Sequence, residues 1–135
     1  MNFASFKMED YGKSEFAEQF RNRTKRFVID VIEIYRKLPR TVEAQIIGKQ
    51  LLRSASSVGA NYRAACRARS QAEFYSKICI VIEEADESLF WMEILVESNI
   101  VDKPTVMNLM IEGKEILKVV SSARKTISSK IDKTH

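Results

Sequence analysis

The residues of this chain that could do chemistry are few, and their types and spacing exclude most of the usual arrangements. The one histidine, His135, is the last residue. A Ser-His or Cys-His pair anchored in a folded core therefore has no base to draw on. Cys66 and Cys79 are too far apart for a CxxC pair and fall inside helical patterns, where they read as buried free thiols. Glu83, Glu84, Asp86 and Glu87 offer the carboxylates of a metal-bridging helix. A di-iron bundle also needs Glu-x-x-His on two helices, and that motif is missing. Gly12, Gly48, Gly59 and Gly113 are isolated, so no glycine-rich loop can cradle a phosphate. The expectation is a non-enzyme with no catalytic residue, no metal site and no cofactor.

The chemistry left over is ionic. Arg63, Arg67 and Arg69 cluster within seven residues, with only Glu73 close by. Arg21, Arg124 and Lys125 are the other candidates for phosphate contact. Arg53, Asn61, Glu84, Glu87 and Ser88 read as a structural polar set. Arg53 is placed to pair with Asp86 and Glu87. Glu84 and Ser88 are either an exposed acid and a small core residue, or part of a buried knot with Asn61 across the helical hairpin.

Four helices must position these groups. The first runs from about Ser14 to Leu38, with Phe20, Phe27, Val31, Ile34 and Leu38 on one stripe, and Pro39 ends it. The second runs from Thr41, a plausible N-cap, to about Ala68, striped by Ile47, Leu51, Ala55, Val58, Tyr62 and Ala65. Its middle is slim, with Ser54, Ser56, Ser57, Gly59, Ala60 and Ala64. Gly59 costs that helix ~1 kcal/mol relative to Ala, so close approach of another backbone is expected there. The third starts at Ser70, with Glu73 at capping-box spacing. Its stripe of Phe74, Ile78, Val81, Ala85, Ser88, Met92 and Leu95 is widened by Ile82, Leu89, Phe90, Trp91 and Val96, which implies burial on more than one side. The fourth begins near Asp102 or Lys103, with Pro104 in its first turn. Short connections make this an all-α, antiparallel up-down-up-down four-helix bundle over residues 14–133. Residues 1–13 have no period and read as a flexible arm in which Phe3, Phe6 and Tyr11 are available to dock.

Laid onto this topology, the net charge of +4 is strongly polarised. Residues 14–26, 55–82 and 118–133 share one end and carry 13 basic against 4 acidic residues, a net of +9. The other end, residues 27–54 and 83–117, carries 7 against 12, a net of −5. Three readings are open. The faces are merely solvated, the basic end meets a polyanion, or the dipole orients neighbouring subunits. No apolar run reaches the length of a membrane span, and the N-terminus lacks the apolar region of a secretory signal, so the expected location is the cytoplasm with no membrane role.

The stretch LLRSASSVGANYRAACRARS, followed by EFYSKICIVIEEADESLFWMEIL, resembles the four-helix-bundle family encoded in bacterial 23S rRNA intervening sequences, also labelled S23 ribosomal protein. The matching features are Arg53, Ser57-Val58, Asn61, Arg69-Ser70 and Glu84 to Ser88. The likeness covers about residues 15–130. Where many members carry Asn-Ile-Ala-Glu-Gly, this chain has Asn61-Tyr62-Arg63-Ala64-Ala65, which drops an acid, adds Arg63 and marks a variant subgroup. The resemblance implies a four-helix bundle that often assembles as a homopentamer, with no established catalysis. It also implies similarity to the accessory protein of diversity-generating retroelements, which binds nucleic acid and works with a reverse transcriptase. The ribosomal label reflects gene location inside an rRNA insert. Two functions follow as expectations. One is an oligomeric bundle binding RNA or DNA through its basic end. The other is a protein-interaction scaffold with no nucleic-acid role.

Overall fold

Three of the four long helices begin at a side chain that caps them. In the computed structural model, which describes residues 8–134, Ser14, Thr41 and Ser70 take extended backbone and accept from the amides of Ala17, Ala44 and Glu73. Each satisfies one of the orphan donors of a helix start. The elements are α1 (Met8–Tyr11), α2 (Glu15–Lys37), α3 (Val42–Cys66), α4 (Gln71–Glu97) and α5 (Lys103–Thr134). Pro39 follows the end of α2, and Pro104 sits in the first turn of α5, as expected. The end of α4 was not legible beforehand. Asn99 adopts φ 62, and the amides of Asn99 and Ile100 donate to the carbonyls of Val96 and Leu95, at 3.0 Å each. This is a Schellman motif, with Asn in the left-handed position that Gly more often fills.

The four long helices form an antiparallel bundle. Its core takes Phe27 and Val31 from α2, Leu51 and Val58 from α3, Ile78, Val81 and Met92 from α4, and Ile116, Val120 and Ile127 from α5, all essentially inaccessible. The slim middle of α3 meets another helix, as its composition predicts. A Cβ on Gly59 would lie 2.9 Å from Val28 Cγ2 and 3.6 Å from the Thr24 carbonyl oxygen of α2. Among the described residues, no helix is long and apolar enough to cross a membrane, and no group of three or more His, Cys, Asp or Glu is placed to hold a metal ion.

At mid-height, Arg53 of α3 pairs with Glu84 at 3.0 Å and with Glu87 on α4. At the same level, the Ser54 and Ser88 hydroxyls lie 2.8 Å apart in the core, so one donates to the other while the acceptor's own hydrogen goes to a carbonyl of its helix, Leu51 for Ser54 or Glu84 for Ser88. Two expectations change here. Glu84 takes the place expected for Asp86, which is exposed. Asn61 does not join the knot: its Nδ2 donates to the carbonyl and hydroxyl of Ser57, at 3.0 and 2.8 Å. Asn61 lies seven residues beyond Ser54 on α3, about two turns nearer the α3–α4 joint. Ser54 is therefore the residue level with Ser88.

Over residues 8–13 the segment before Ser14 is no free arm: Met8–Tyr11 form α1, and Tyr11, one of the residues expected to be available to dock, is docked. Tyr11 is 1% exposed. Its hydroxyl lies 2.7 Å from that of Tyr62, and its ring meets Phe74 edge-on at 4.9 Å. One aromatic docking in a ready-made pocket leaves no periodic trace in a sequence. Phe3, Phe6 and His135 lie outside the described residues.

Candidate nucleic-acid interface

Where α2 and α3 close on one another at Gly59, a surface groove of about 920 Å³ opens along the pair toward the basic end. Helical periodicity builds its walls. Arg21, Lys25 and Ile29 recur every four residues on α2, and so do Ser56, Ala60, Arg63 and Arg67 every three or four on α3. Val28, Ile29, Gly59, Ala60 and Ala68 make a low, apolar floor. Gly12 and Lys13 form the end wall, and Arg69 stands at the joint. Six cations (Lys13, Arg21, Lys25, Arg63, Arg67 and Arg69) line this groove, and no carboxylate does among the described residues.

These cations differ in how free they are. Arg63, Arg67, Lys13 and Lys25 are exposed and form no ion pair among the described residues. Arg69 makes a long pair with Glu73 at 3.6 Å, its side chain 90% exposed, so solvent screens it. Arg21 Nη1 donates to the Gly12 carbonyl at 2.5 Å, which leaves its other N–H groups available. By contrast, Arg23 is held bidentately by Glu112 of α5, at 2.6 and 3.0 Å. Arg26 pairs with Asp30 at 3.1 Å. Helix dipoles add little to the balance. In an up-down bundle, two helix starts and two helix ends meet at each end, so their half-charges largely cancel. The side chains decide the field.

Of the residues singled out from sequence, the groove gathers Arg21, Arg63, Arg67 and Arg69. It does not gather Arg124 and Lys125. Arg124 of α5 acts on the Tyr75 hydroxyl at the start of α4. A hydrogen bond to Cys79 pushes the pKa of that hydroxyl above 10.0, and Arg124 partly opposes the rise. Arg124 therefore lies near the start of α4, and Lys125 is exposed on α5 outside the groove. Sequence reasoning missed Lys13, Asn22 and Lys25 as members of the site. The i,i+4 spacing of Arg21 and Lys25 was the available signal. Lys13 had none, since its position depends on the docking of Tyr11.

Behind the end wall, burial pushes the hydroxyls of Tyr11 and Tyr62 well above their ordinary pKa of 10.0, so both stay neutral. Phe20 packs edge-on against Tyr62 at 4.7 Å. This cluster braces the groove and offers no ionised oxygen to react. Cys66 and Cys79 are free thiols. Among the described residues the lining contains no imidazole and no carboxylate, so its geometry suits the holding of an anion.

A model of the 23S rRNA-intervening sequence protein family matches residues 18–122. A crystal structure at 1.70 Å of a protein of unknown function from the S23 ribosomal protein family of Bacteroides thetaiotaomicron is 30% identical. It superposes with a TM-score of 0.74, over 78% of this chain and 98% of its own. No curated protein matches. Apart from the first residues of α2 and the Gly12–Lys13 end wall, the groove and the Arg53–Glu84 tie lie within the matched span, and the chain belongs to the 23S rRNA-intervening sequence protein family.

Proposed function

We propose that this protein is a non-catalytic nucleic-acid-binding bundle that receives a phosphate backbone, of RNA or DNA, in the groove between α2 and α3. The observation that carries this reading is the lining: six cations and, among the described residues, no carboxylate around an apolar floor. A solvated charged face mixes signs, as the Arg23–Glu112 and Arg26–Asp30 pairs do on the neighbouring side. Concentrating one sign in a concave surface focuses the field and favours a polyanion, whose bound counterions are released on contact. The family name points to an rRNA gene context and is consistent with RNA as the first nucleic acid to try. The direct test is an electrophoretic mobility shift with structured RNA and with duplex DNA at low salt. The expected result is binding that weakens steeply with salt and that falls on joint replacement of Lys25, Arg63 and Arg67 by Ala. No binding, or binding indifferent to salt, refutes it.

A second reading, compatible with the first, is self-association. Phe90 is 49% exposed, Ile46 58% and Val42 74%. Beside Phe90, Trp91 has its indole N–H buried without a partner among the described residues. A buried donor left unpaired costs ~1–3 kcal/mol; the apolar surface that a subunit contact would cover is that of Phe90, Ile46 and Val42. The homopentamer implied by the family resemblance is one such assembly. Light scattering at micromolar concentration tests it, and a monomer refutes it. A reverse transcriptase or other protein partner is tested by co-purification with the full-length chain.

A further inference from the structure

We infer that the docked turn of residues 11–14 is a working part of the polyanion groove, with Gly12 and Tyr11 as positioning residues that set Lys13 and Arg21 for phosphate. This rests on the groove reading above. Four independent contacts hold the turn. The Tyr11 hydroxyl bonds Tyr62 of α3 at 2.7 Å. Ser14 Oγ donates to the Tyr11 carbonyl at 2.7 Å and caps α2 through the Ala17 amide. Arg21 donates to the Gly12 carbonyl at 2.5 Å. Gly12 itself packs so closely on the end of α3 that an added Cβ would sit 1.9 Å from the Cys66 carbonyl oxygen. That obstacle is backbone at the end of a helix and cannot swing aside as a side chain can. The position therefore excludes every residue but Gly in the docked state.

Docking has two consequences for the groove. It brings Lys13 from a segment outside the long helices to the end of the cationic lining. It also fixes the Arg21 guanidinium through one N–H, which pre-organises the remaining donors and reduces the entropy lost when they meet a phosphate. Ligand binding and turn docking are then linked. A polyanion that contacts Lys13 favours the docked state by the same factor that docking improves its affinity.

The experiment uses the full-length chain and a 20-base-pair duplex RNA as probe, with affinity followed across salt by fluorescence anisotropy. Hydrogen exchange is followed at the Lys13 and Ser14 amides, which donate to the Asp10 and Tyr11 carbonyls at 3.2 and 3.0 Å. Gly12→Ala is expected to speed exchange at these amides, weaken binding roughly threefold to tenfold, and reduce the salt slope by about one. In a Lys13→Ala background, Gly12→Ala should leave the salt slope where Lys13→Ala alone puts it, because Arg21 stays on α2 beside the groove, while affinity should still fall somewhat as the Arg21 guanidinium is released from the Gly12 carbonyl. In the wild type, saturating RNA should slow exchange at the same two amides. Faster exchange in Gly12→Ala with affinity and slope unchanged overturns the inference and leaves the groove's function standing. Unchanged exchange in the RNA-saturated wild type also overturns it, and needs no variant that folds. If Gly12→Ala fails to fold, Tyr11→Ala provides the same comparison. Failure of the wild type to bind RNA at low salt overturns the groove reading and this inference together.

Discussion

Replacing Arg63 and Arg67 together by Ala removes two of the six cations that line the groove, and the expected loss can be worked out from counterion release. If all six cations meet phosphates of a duplex DNA, the logarithm of the affinity falls with the logarithm of salt at a slope of about −5.4, taking ~0.9 per contact. Between about 50 and 200 mM salt that is roughly a thousandfold loss for the wild type. With four contacts the slope becomes about −3.6 and the loss roughly a hundredfold. The two binding curves therefore differ most at low salt and converge as salt rises. The control is Arg124→Ala with Lys125→Ala, which removes the same formal charge from α5, outside the groove lining. Its slope should match that of the wild type. All four residues are exposed, so both variants should stay within about 0.5 kcal/mol of wild-type stability. Anisotropy of a labelled duplex at four salt concentrations, with circular dichroism to verify folding, measures all of this. Equal reduction of the slope by both pairs would show that binding follows net charge over the whole basic end. An unchanged slope in the Arg63 and Arg67 variant would remove the groove from consideration.

Other outcomes follow from the same contacts. Ala60→Leu fills the groove floor at an exposed position without touching charge. It should weaken binding while leaving thermal stability within a few degrees, and unaltered affinity would mean that nothing enters the groove. Ser88→Leu introduces bulk at a fully buried site facing Ser54. It should cost ~1–3 kcal/mol in urea unfolding, and a neutral result would indicate slack in the α3–α4 contact. Arg53→Ala should cost only about 1 kcal/mol, because Arg53 is half exposed and its pairs are screened even though the Glu84 side chain is 18% exposed. A loss above about 3 kcal/mol would mark the trio as a true buried network. Tyr11 and Tyr62 have folded pKa values above their unfolded value of 10.0. Their contribution is therefore fully present below pH 10 and is lost as pH rises from there, by up to ~1.4 kcal/mol per pH unit for each tyrosine. Urea titrations at pH 9 and 11 should show a fall that is smaller in Tyr11→Phe with Tyr62→Phe. An identical fall in that variant would place the alkaline sensitivity elsewhere.

Much of this molecule is written locally. Ser14, Thr41, Ser70, Pro39 and Pro104 bound the helices because caps and breakers act within a few residues. The apolar stripes and short connections then leave an antiparallel bundle as the economical way to bury them. The Arg53 tie to the acidic run was legible for the same reason, since register across a hairpin follows from counting residues on either side of the turn. The family resemblance, resting on Arg53, Ser57-Val58, Asn61, Arg69-Ser70 and the acidic run, agrees with the family match and with the solved relative.

The site was only half legible. The sequence placed thirteen cations at one end of the bundle but could not divide them among its faces. That division depends on where each helix turns its charged side: Arg23 and Arg26 toward acids, Arg124 toward Tyr75, and Arg21, Lys25, Arg63 and Arg67 into a shared groove. Small residues at Gly59 and Ala60 signalled close approach, yet the width and direction of the resulting groove exist only once α2 and α3 are packed. The turn at Gly12 lies furthest from what sequence can determine. Its fit against the Cys66 carbonyl and the seating of Tyr11 on Tyr62 join residues 51 or more positions apart, and contacts between such distant positions leave no period in the chain. Sequence alone determined the helices, their order and the sign of each end; tertiary packing decided which of those charges face the same space.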